Sequence, residues 1–390
     1  MGILILALLL ASVLAGCQSA RELNDLPIVI GMGVDRAEAP RTVEITAQVV
    51  KPRSVGGAKG GGSGGGGGGN DAFWNVHSTG ETVLSAVRDA IHQTGNRLFM
   101  SHAEVLVFGR ELATDGIQEH IDFFLRSREF RTTGFVFVAQ GKAGDILEVK
   151  MATGKLPSVS LDKLVRGYGF TSEYLKVNLL DFSNRLMSKT FAPVAPLVTV
   201  LPGVKGKELY VTDLAVFKQA RMVGTLDRRE TRGLLWVLGK VKGGLIVVGS
   251  PQGQGGATLE IMTAKGQATP VLQDGQITMN IEIKTEAGLA EQTTMENLVT
   301  PAGFAYLEQA LSEAIQAEVL AAFAKSRQLN ADVFGFGEAV HKQYPAQWRQ
   351  TEDRWDEVYG DVKLTIKVES KVRKADLITR PAVPPSGKGP

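Results

Sequence analysis

Along 43–50 the chain reads VEITAQVV, with Val43, Ile45, Ala47 and Val49 alternating against Glu44, Thr46 and Gln48. A period of two puts the first set on one face of a strand and the second on the other, so this segment predicts a half-buried β-strand. The same alternation recurs at 277–284, where Ile277, Met279, Ile281 and Ile283 face away from Thr278, Asn280, Glu282 and Lys284, and again at 362–368. The run LPIVIGMGVD over 26–35 and the segments 102–108, 134–139, 211–218 and 245–248 predict further strands. A helical period appears at 81–93, where Val83, Leu84, Val87 and Ile91 form one stripe and Ser78 or Thr79 serves as the cap. Helices are also predicted at 117–126 and 177–187, with a short helix or buried segment at 231–240. The strongest helix is 304–326, in which Phe304, Leu307, Leu311, Ile315, Val319 and Phe323 recur at spacings of three or four.

The strand and helix order of the first half is β-β-α-β-α-β, which predicts an α+β domain with helices on one face of a mixed sheet. Pro193, Pro196 and Pro202 then punctuate the chain and place a boundary nearby. The expected fold class is therefore α+β and multidomain, two to three domains of mixed or antiparallel sheets flanked by helices. The divisions are a leader at 1–16, an N-terminal α+β domain at 17–200, a middle α+β domain at 206–300, a helix-strand region at 301–380 and a disordered tail at 381–390. Inside the first domain, 56–69 reads GGAKGGGSGGGGGG, a flexible loop, because glycine loses more backbone entropy on ordering than any other residue.

The leader changes the picture. Residues 3–15 read ILILALLLASVLA, too short a run to span a bilayer, which takes about 20 apolar residues, but of the length of a signal-peptide core. Leu14-Ala15-Gly16-Cys17 follows, a lipobox, in which small residues admit a peptidase and the cysteine sulfur takes a diacylglycerol. Met1-Gly2 carries none of the Lys or Arg usual in front of such a core, so the assignment rests on the core and the box. Cys17 is the only cysteine of the chain, and it stands where lipidation requires one. The expectation is a lipid-anchored ectodomain with a covalent lipid on Cys17, held by two or more acyl chains. Lys plus Arg (43) and Asp plus Glu (41) nearly cancel, which gives no footprint for nucleic acid.

Candidate chemistry is sparse. Gly61, Ser63 and Gly65 match a nucleophile elbow in letters only, since the tract has neither the strand before nor the helix after that such an elbow needs. Gly31-Met32-Gly33 follows a strand as a dinucleotide loop does, but Arg36 stands in place of the third glycine. His77, His92, His102, His120 and His341 show no zinc spacing, and no metal or other cofactor is expected. Carboxylates are scattered without an acid/base couple, so no catalytic residues are assigned. Arg126, Arg128 and Arg131 read as a solvated helix end in preference to a lipid-headgroup contact.

Longer stretches are more specific. LNDLPIVIGMGVD (23–35), GNRLFMSHAEVLVFG (95–109) with FFLRSREFR (123–131), LDRRETRGLLW (226–236) with VKGGLIVV (241–248), and ADVFGFGEAVHKQYPAQW (331–348) resemble the Ger(x)C lipoprotein family, the C subunit of spore germinant receptors. The likeness runs from the lipobox to about Val372, with the polyglycine loop as its departure. It implies a three-domain α+β ectodomain on the outer face of the spore inner membrane. It also implies two integral membrane partner subunits, one resembling an amino-acid transporter, and a non-enzymatic part in nutrient-triggered germination. In the motif at 226–236, Glu230 and Arg232 suggest an internal ion pair ahead of a partner contact. Gly335-Phe336-Gly337 suggests tight packing around an aromatic before a helix at Glu338, with Tyr344, Pro345 and Trp348 closing it. The alternatives are a lipid-anchored solute-binding protein of a nutrient transporter, which is usually two α/β lobes around a cleft, and a cell-wall hydrolase, which lacks a catalytic constellation here.

Overall fold

The computed structural model describes residues 26–51, 73–151, 155–204 and 206–373; Cys17, the leader at 1–16, the polyglycine tract at 56–69 and the tail at 381–390 lie outside them. The first sheet takes its strands from β1 (Val29–Arg36), β2 (Val43–Val50), β3 (Phe73–Gly80), β4 (Val105–Phe108), β5 (Phe135–Ala139), β6 (Val194–Gly203), β7 (Gly206–Lys218) and β8 (Arg221–Leu226). Their order is β3-β2-β1-β4-β5-β6-β7-β8. The four central strands β1, β4, β5 and β6 run parallel, and both flanks are antiparallel.

Parallel neighbours cannot be joined by a tight turn, so each pair is bridged by a crossover. β1 reaches β4 through β2, β3, α1 (Val83–Asp89) and α2 (Ile91–Thr94). β4 reaches β5 through α3 (Arg110–Asp115) and α4 (Gln118–Arg126), and β5 reaches β6 through α5 (Ala143–Leu147), α6 (Pro157–Arg166) and α7 (Leu179–Met187). Helices cover both faces of the sheet, not one. Leu106, Phe108, Val136 and Val138 share a core with α1, α4 and α7, whereas Val105, Val107, Phe135 and Phe137 share a second core with α5 and α6. The reason is in the strands themselves: VLVF and FVFVA are apolar throughout and have no side to give to water.

The expected boundary between 200 and 206 falls within the β6–β7 hairpin, which is in register from Val194↔Val216 to Gly203↔Gly206, so the sheet continues across it. The helix expected at 81–93 breaks at Ala90, and its cap is Thr82, whose side chain accepts from Ser85 N. Ser78 and Thr79 belong to β3 instead, and the Ser78 hydroxyl donates to the Ala86 carbonyl.

Beyond β8 come α8 (Arg228–Val237), β9 (Leu245–Gly249), β10 (Gly256–Gln273), β11 (Gln276–Gln292), α9 (Pro301–Gln328), α10 (Phe336–Gln343), α11 (Pro345–Thr351), α12 (Trp355–Asp361) and β12 (Lys363–Arg373). The second sheet has the order β12-β11-β10-β9, with β12 parallel to β11 and the rest antiparallel. Ile277, Met279, Ile281 and Ile283 point into the same core as Leu307, Leu311, Ile315 and Val319 of α9. The other face stays open to water and carries ion pairs between strands, Lys284–Glu369 at 3.2 Å and Arg373–Glu286 at 2.8 Å. Helix α9 begins where Pro301 fits the first turn and Thr300 accepts from Gly303 N.

Candidate functional site

The motif at 331–348 folds around a buried carboxylate. Asp332 accepts hydrogen bonds from the backbone N–H of Gly335 (2.9 Å), Phe336 (3.1 Å) and Gly337 (2.8 Å), and from Trp355 Nε1 (3.2 Å). It therefore caps α10, whose first N–H groups have no partner within the helix. Burial pushes its pKa up to about 6 against the pull of these four donors. The chain reverses at Gly335 with φ +74, and a Cβ there would meet the Phe191 ring at 3.3 Å, so both conformation and space require glycine. Phe336 stacks on Phe334 with centroids 4.9 Å apart, the aromatic packing expected of this motif. The main chain of Asp332 also accepts from Ala192 N at 2.9 Å, which ties these helices to the segment just before β6.

A second carboxylate locks α8 against α9. Glu318 accepts from Arg232 Nε and Nη2 and, at 2.9 Å, from Trp236 Nε1, while Arg232 Nη1 donates to the Leu245 carbonyl at 3.0 Å. Arg232 is thus paired internally, but with Glu318 and not with Glu230. Glu230 is three residues into α8, where it forms a reciprocal cap with Asp227. Burial draws the Arg232 pKa down, but the Glu318 carboxylate outweighs it and holds the group above its ordinary value. Gly233 sits at the helix crossing, where a Cβ would come within 2.0 Å of the Glu318 carbonyl oxygen.

In the first half, Gly31 and Gly33 lie inside β1 and not in a turn opening a helix, where a dinucleotide loop would place them. A Cβ on Gly31 would strike the Ser158 hydroxyl at 2.0 Å, and one on Gly33 would crowd Ala143 at 3.0 Å, so the pair lets α6 and α5 settle on the sheet. Asp35, at the end of the same strand, accepts from Ala143 N (2.8 Å) and Gly144 N (2.9 Å) and caps α5. Burial raises its pKa, and the two N–H bonds partly offset the rise.

The histidines stay apart. His77 Nε2 lies 3.0 Å from Glu148, His102 packs on Phe99, His341 stacks on Trp348, His120 is half-buried with its pKa lowered by burial, and His92 is exposed. No cluster of three or more metal-binding side chains exists among the described residues. The arginine cluster is divided. Arg126 pairs with Asp122 one turn away at 2.6 Å and shares a groove with Arg128, whereas Arg131 lines a separate cleft with His102 and Glu104. No helix of the described residues is long and apolar enough to cross a membrane. Sequence reasoning missed Asp332, Glu318 and Arg185. The signals were an Asp just ahead of a glycine pair and single charged residues set on the buried sides of α7 and α9, Arg185 three residues after Phe182 and Glu318 three after Ile315.

Comparison with known proteins is uniform. Residues 19–200 match the family model described as spore germination protein N-terminal domain, and residues 212–375 match that of the spore germination B3/GerAC-like C-terminal region. Spore germination protein KC of Bacillus subtilis (strain 168) is 28% identical over 403 residues, covering 97% of this chain and 96% of that one. Spore germination protein YndF of the same organism is 25% identical over 385 residues, covering 94% of each. A solved structure titled as that of the GerBC protein shares the fold, with a TM-score of 0.55 at 17% identity over 88% of this chain and 98% of that one. Matched in both halves and in the same order, the chain belongs to the Ger(x)C family of spore germination proteins.

Proposed function

We propose that this protein is the lipoprotein C subunit of a spore germinant receptor, tethered by a lipid on Cys17 to the outer face of the spore inner membrane. There it works with two integral membrane subunits, one resembling an amino-acid transporter, in nutrient-triggered germination. The observation that carries the reading is the match of both halves to spore germination family models, directly downstream of a lipobox. A lipid tether suits such a part: it confines a large folded body to the plane of its partners and raises their effective concentration without a spanning helix. The role proposed is assembly and signal transfer, not catalysis, because the buried carboxylates Asp35, Glu318 and Asp332 spend their lone pairs on helix N–H groups, indoles and an arginine. The solute-binding alternative has less support, since the second half is a four-stranded sheet in which β9, β10 and β11 form an antiparallel meander and β12 adds a parallel edge, packed on one long helix, and not a second α/β lobe.

The test is Cys17→Ala in the chromosomal copy. The variant is expected in the soluble fraction of broken spores, with germination in response to nutrients strongly slowed. Normal germination with released protein would show that the tether is dispensable. Retention on the membrane would point to a different anchor.

A further inference from the structure

The segment before α7, α7 itself, Phe191, the stretch just after α8 and Glu338 of α10 line a cleft of about 320 Å³. Leu175 and Leu238 supply apolar wall, Arg185 and Lys240 two cations, and Asp181 and Glu338 two carboxylates. The volume is at the small end of ligand pockets, which run from roughly 300 Å³ upward.

Arg185 is the unusual member. It is 7% exposed, yet its neighbours carry no opposing charge at contact distance. Its Nη1 donates to the carbonyls of Ala192 (3.2 Å) and Val333 (3.4 Å), and its guanidinium lies 3.9 Å from the Phe191 ring centre. Among the described residues it forms no ion pair, and its Nε and Nη2 hold no hydrogen bond; Asp181, Asp332 and Glu338 act on it only at longer range. Burial draws its pKa down to about 10. A charge taken out of water without a partner is costly, and carbonyl dipoles and a ring face offset only part of that cost. Lys240, exposed at the rim, adds a second positive group; partial burial and then the nearby Arg185 draw its pKa down against the pull of Asp181, and its ammonium holds no hydrogen bond among the described residues. The two carboxylates of the cleft balance the two cations in number but leave the Arg185 Nε and Nη2 without an acceptor, and a carboxylate of the ligand would fill that place.

The surroundings restrict which anion. Asp181 and Glu338 disfavour a multiply charged group such as phosphate, while Leu175 and Leu238 favour an alkyl body. We propose that the cleft binds a small monocarboxylate with a compact apolar side chain, its two oxygens taking Arg185 Nε and Nη2 and Lys240 closing from the rim. An amine on the same molecule would meet Asp181 or Glu338. Such a ligand would touch elements of both halves at once. Its binding needs only the fold of the described residues and is independent of the tether on Cys17.

The experiment uses the full-length chain in detergent with three probes of one shape: L-leucine, 4-methylpentanoate, which lacks the amine, and 3-methylbutylamine, which lacks the carboxylate. Saturable binding is read by ligand-detected NMR and by the rise in melting temperature. Both carboxylates are expected to bind and the amine alone is not; whichever carboxylate binds tighter tells whether a zwitterion or a plain acid is preferred. Lys240→Ala, which breaks no hydrogen bond, should melt like the parent and weaken binding by about tenfold or more. Arg185→Lys, which keeps the charge but loses the planar fork, should abolish it; because that change also disturbs two carbonyl contacts, Lys240→Ala is the deciding variant. Equal binding of the amine, no saturable binding of either carboxylate, or an unchanged affinity in Lys240→Ala would overturn the proposal.

Discussion

In the first half, Asp35 sits at the end of a strand buried on both faces and serves two N–H groups more than a hundred residues away, at Ala143 and Gly144. In the second half, Asp332 serves three N–H groups within five residues of itself and a tryptophan indole besides. Glu318 likewise gathers several donors including an indole, though from Arg232 and Trp236, 86 and 82 residues away. The difference follows from the sheets. Eight strands covered on both sides by helices bury enough apolar surface to position α5 and α6, and the aspartate only finishes the fit. The four-stranded sheet has one wet face and so less core to offer. Its helices are held by carboxylates that gather several donors each, with indoles as the link between polar network and core.

Asp332→Ala should cost roughly 5 kcal/mol in urea unfolding, because it strands three backbone N–H groups and an indole in a dry interior at about 1–3 kcal/mol each, less than additively. The pH dependence comes next. The Asp332 pKa is higher folded, about 6, than its ordinary 3.8, so the folded state holds a proton the unfolded state has already released. Its contribution to stability is therefore largest below about pH 4, falls by on the order of 3 kcal/mol as pH rises to about 6, and is flat above that. Unfolding midpoints at pH 4.5 and pH 7 should show this slope in the parent, and Asp332→Asn should remove it. The smallest effect belongs to Asp35→Ala, roughly 2 kcal/mol for two stranded N–H groups. If Asp35→Ala cost as much as Asp332→Ala, the number of donors served would not be what distinguishes the halves.

Local patterns were read well where one face is wet. There β11 and α9 extend the predicted segments by some residues at their ends, whereas β2 is found at 43–50 but is not half-buried as predicted, because Thr46 and Gln48 are covered as well and Gln48 donates to the Leu147 carbonyl and accepts from Ser158 N. Period-two and helical stripes survive folding because solvent enforces them. Strand β10 escaped notice although Asp274-Gly275, both at positive φ, form the tight turn that pairs it with β11. A DG pair between polar residues was the available signal, but its strand carries Gly266, Pro270 and few branched residues, so alternation there is faint. The short helices α3, α5 and α6 were also illegible, since segments of a turn or three do not establish a period.

The site followed the same divide. Arg232 stood out in its motif, but its partner Glu318 lies 86 residues away, so the sequence offered the adjacent Glu230 in its place. What the sequence by itself determined is the periodic framework and, through long ordered motifs, the family; each depends on neighbours in the chain. What only the tertiary structure decided is what each buried charge meets: Asp35 the N–H of Ala143, Glu318 the guanidinium of Arg232, and Arg185 the carbonyls of Ala192 and Val333. Those pairings arise because burial changes the energy of a charge by more than local propensity does, and burial is set by the packing of the whole chain.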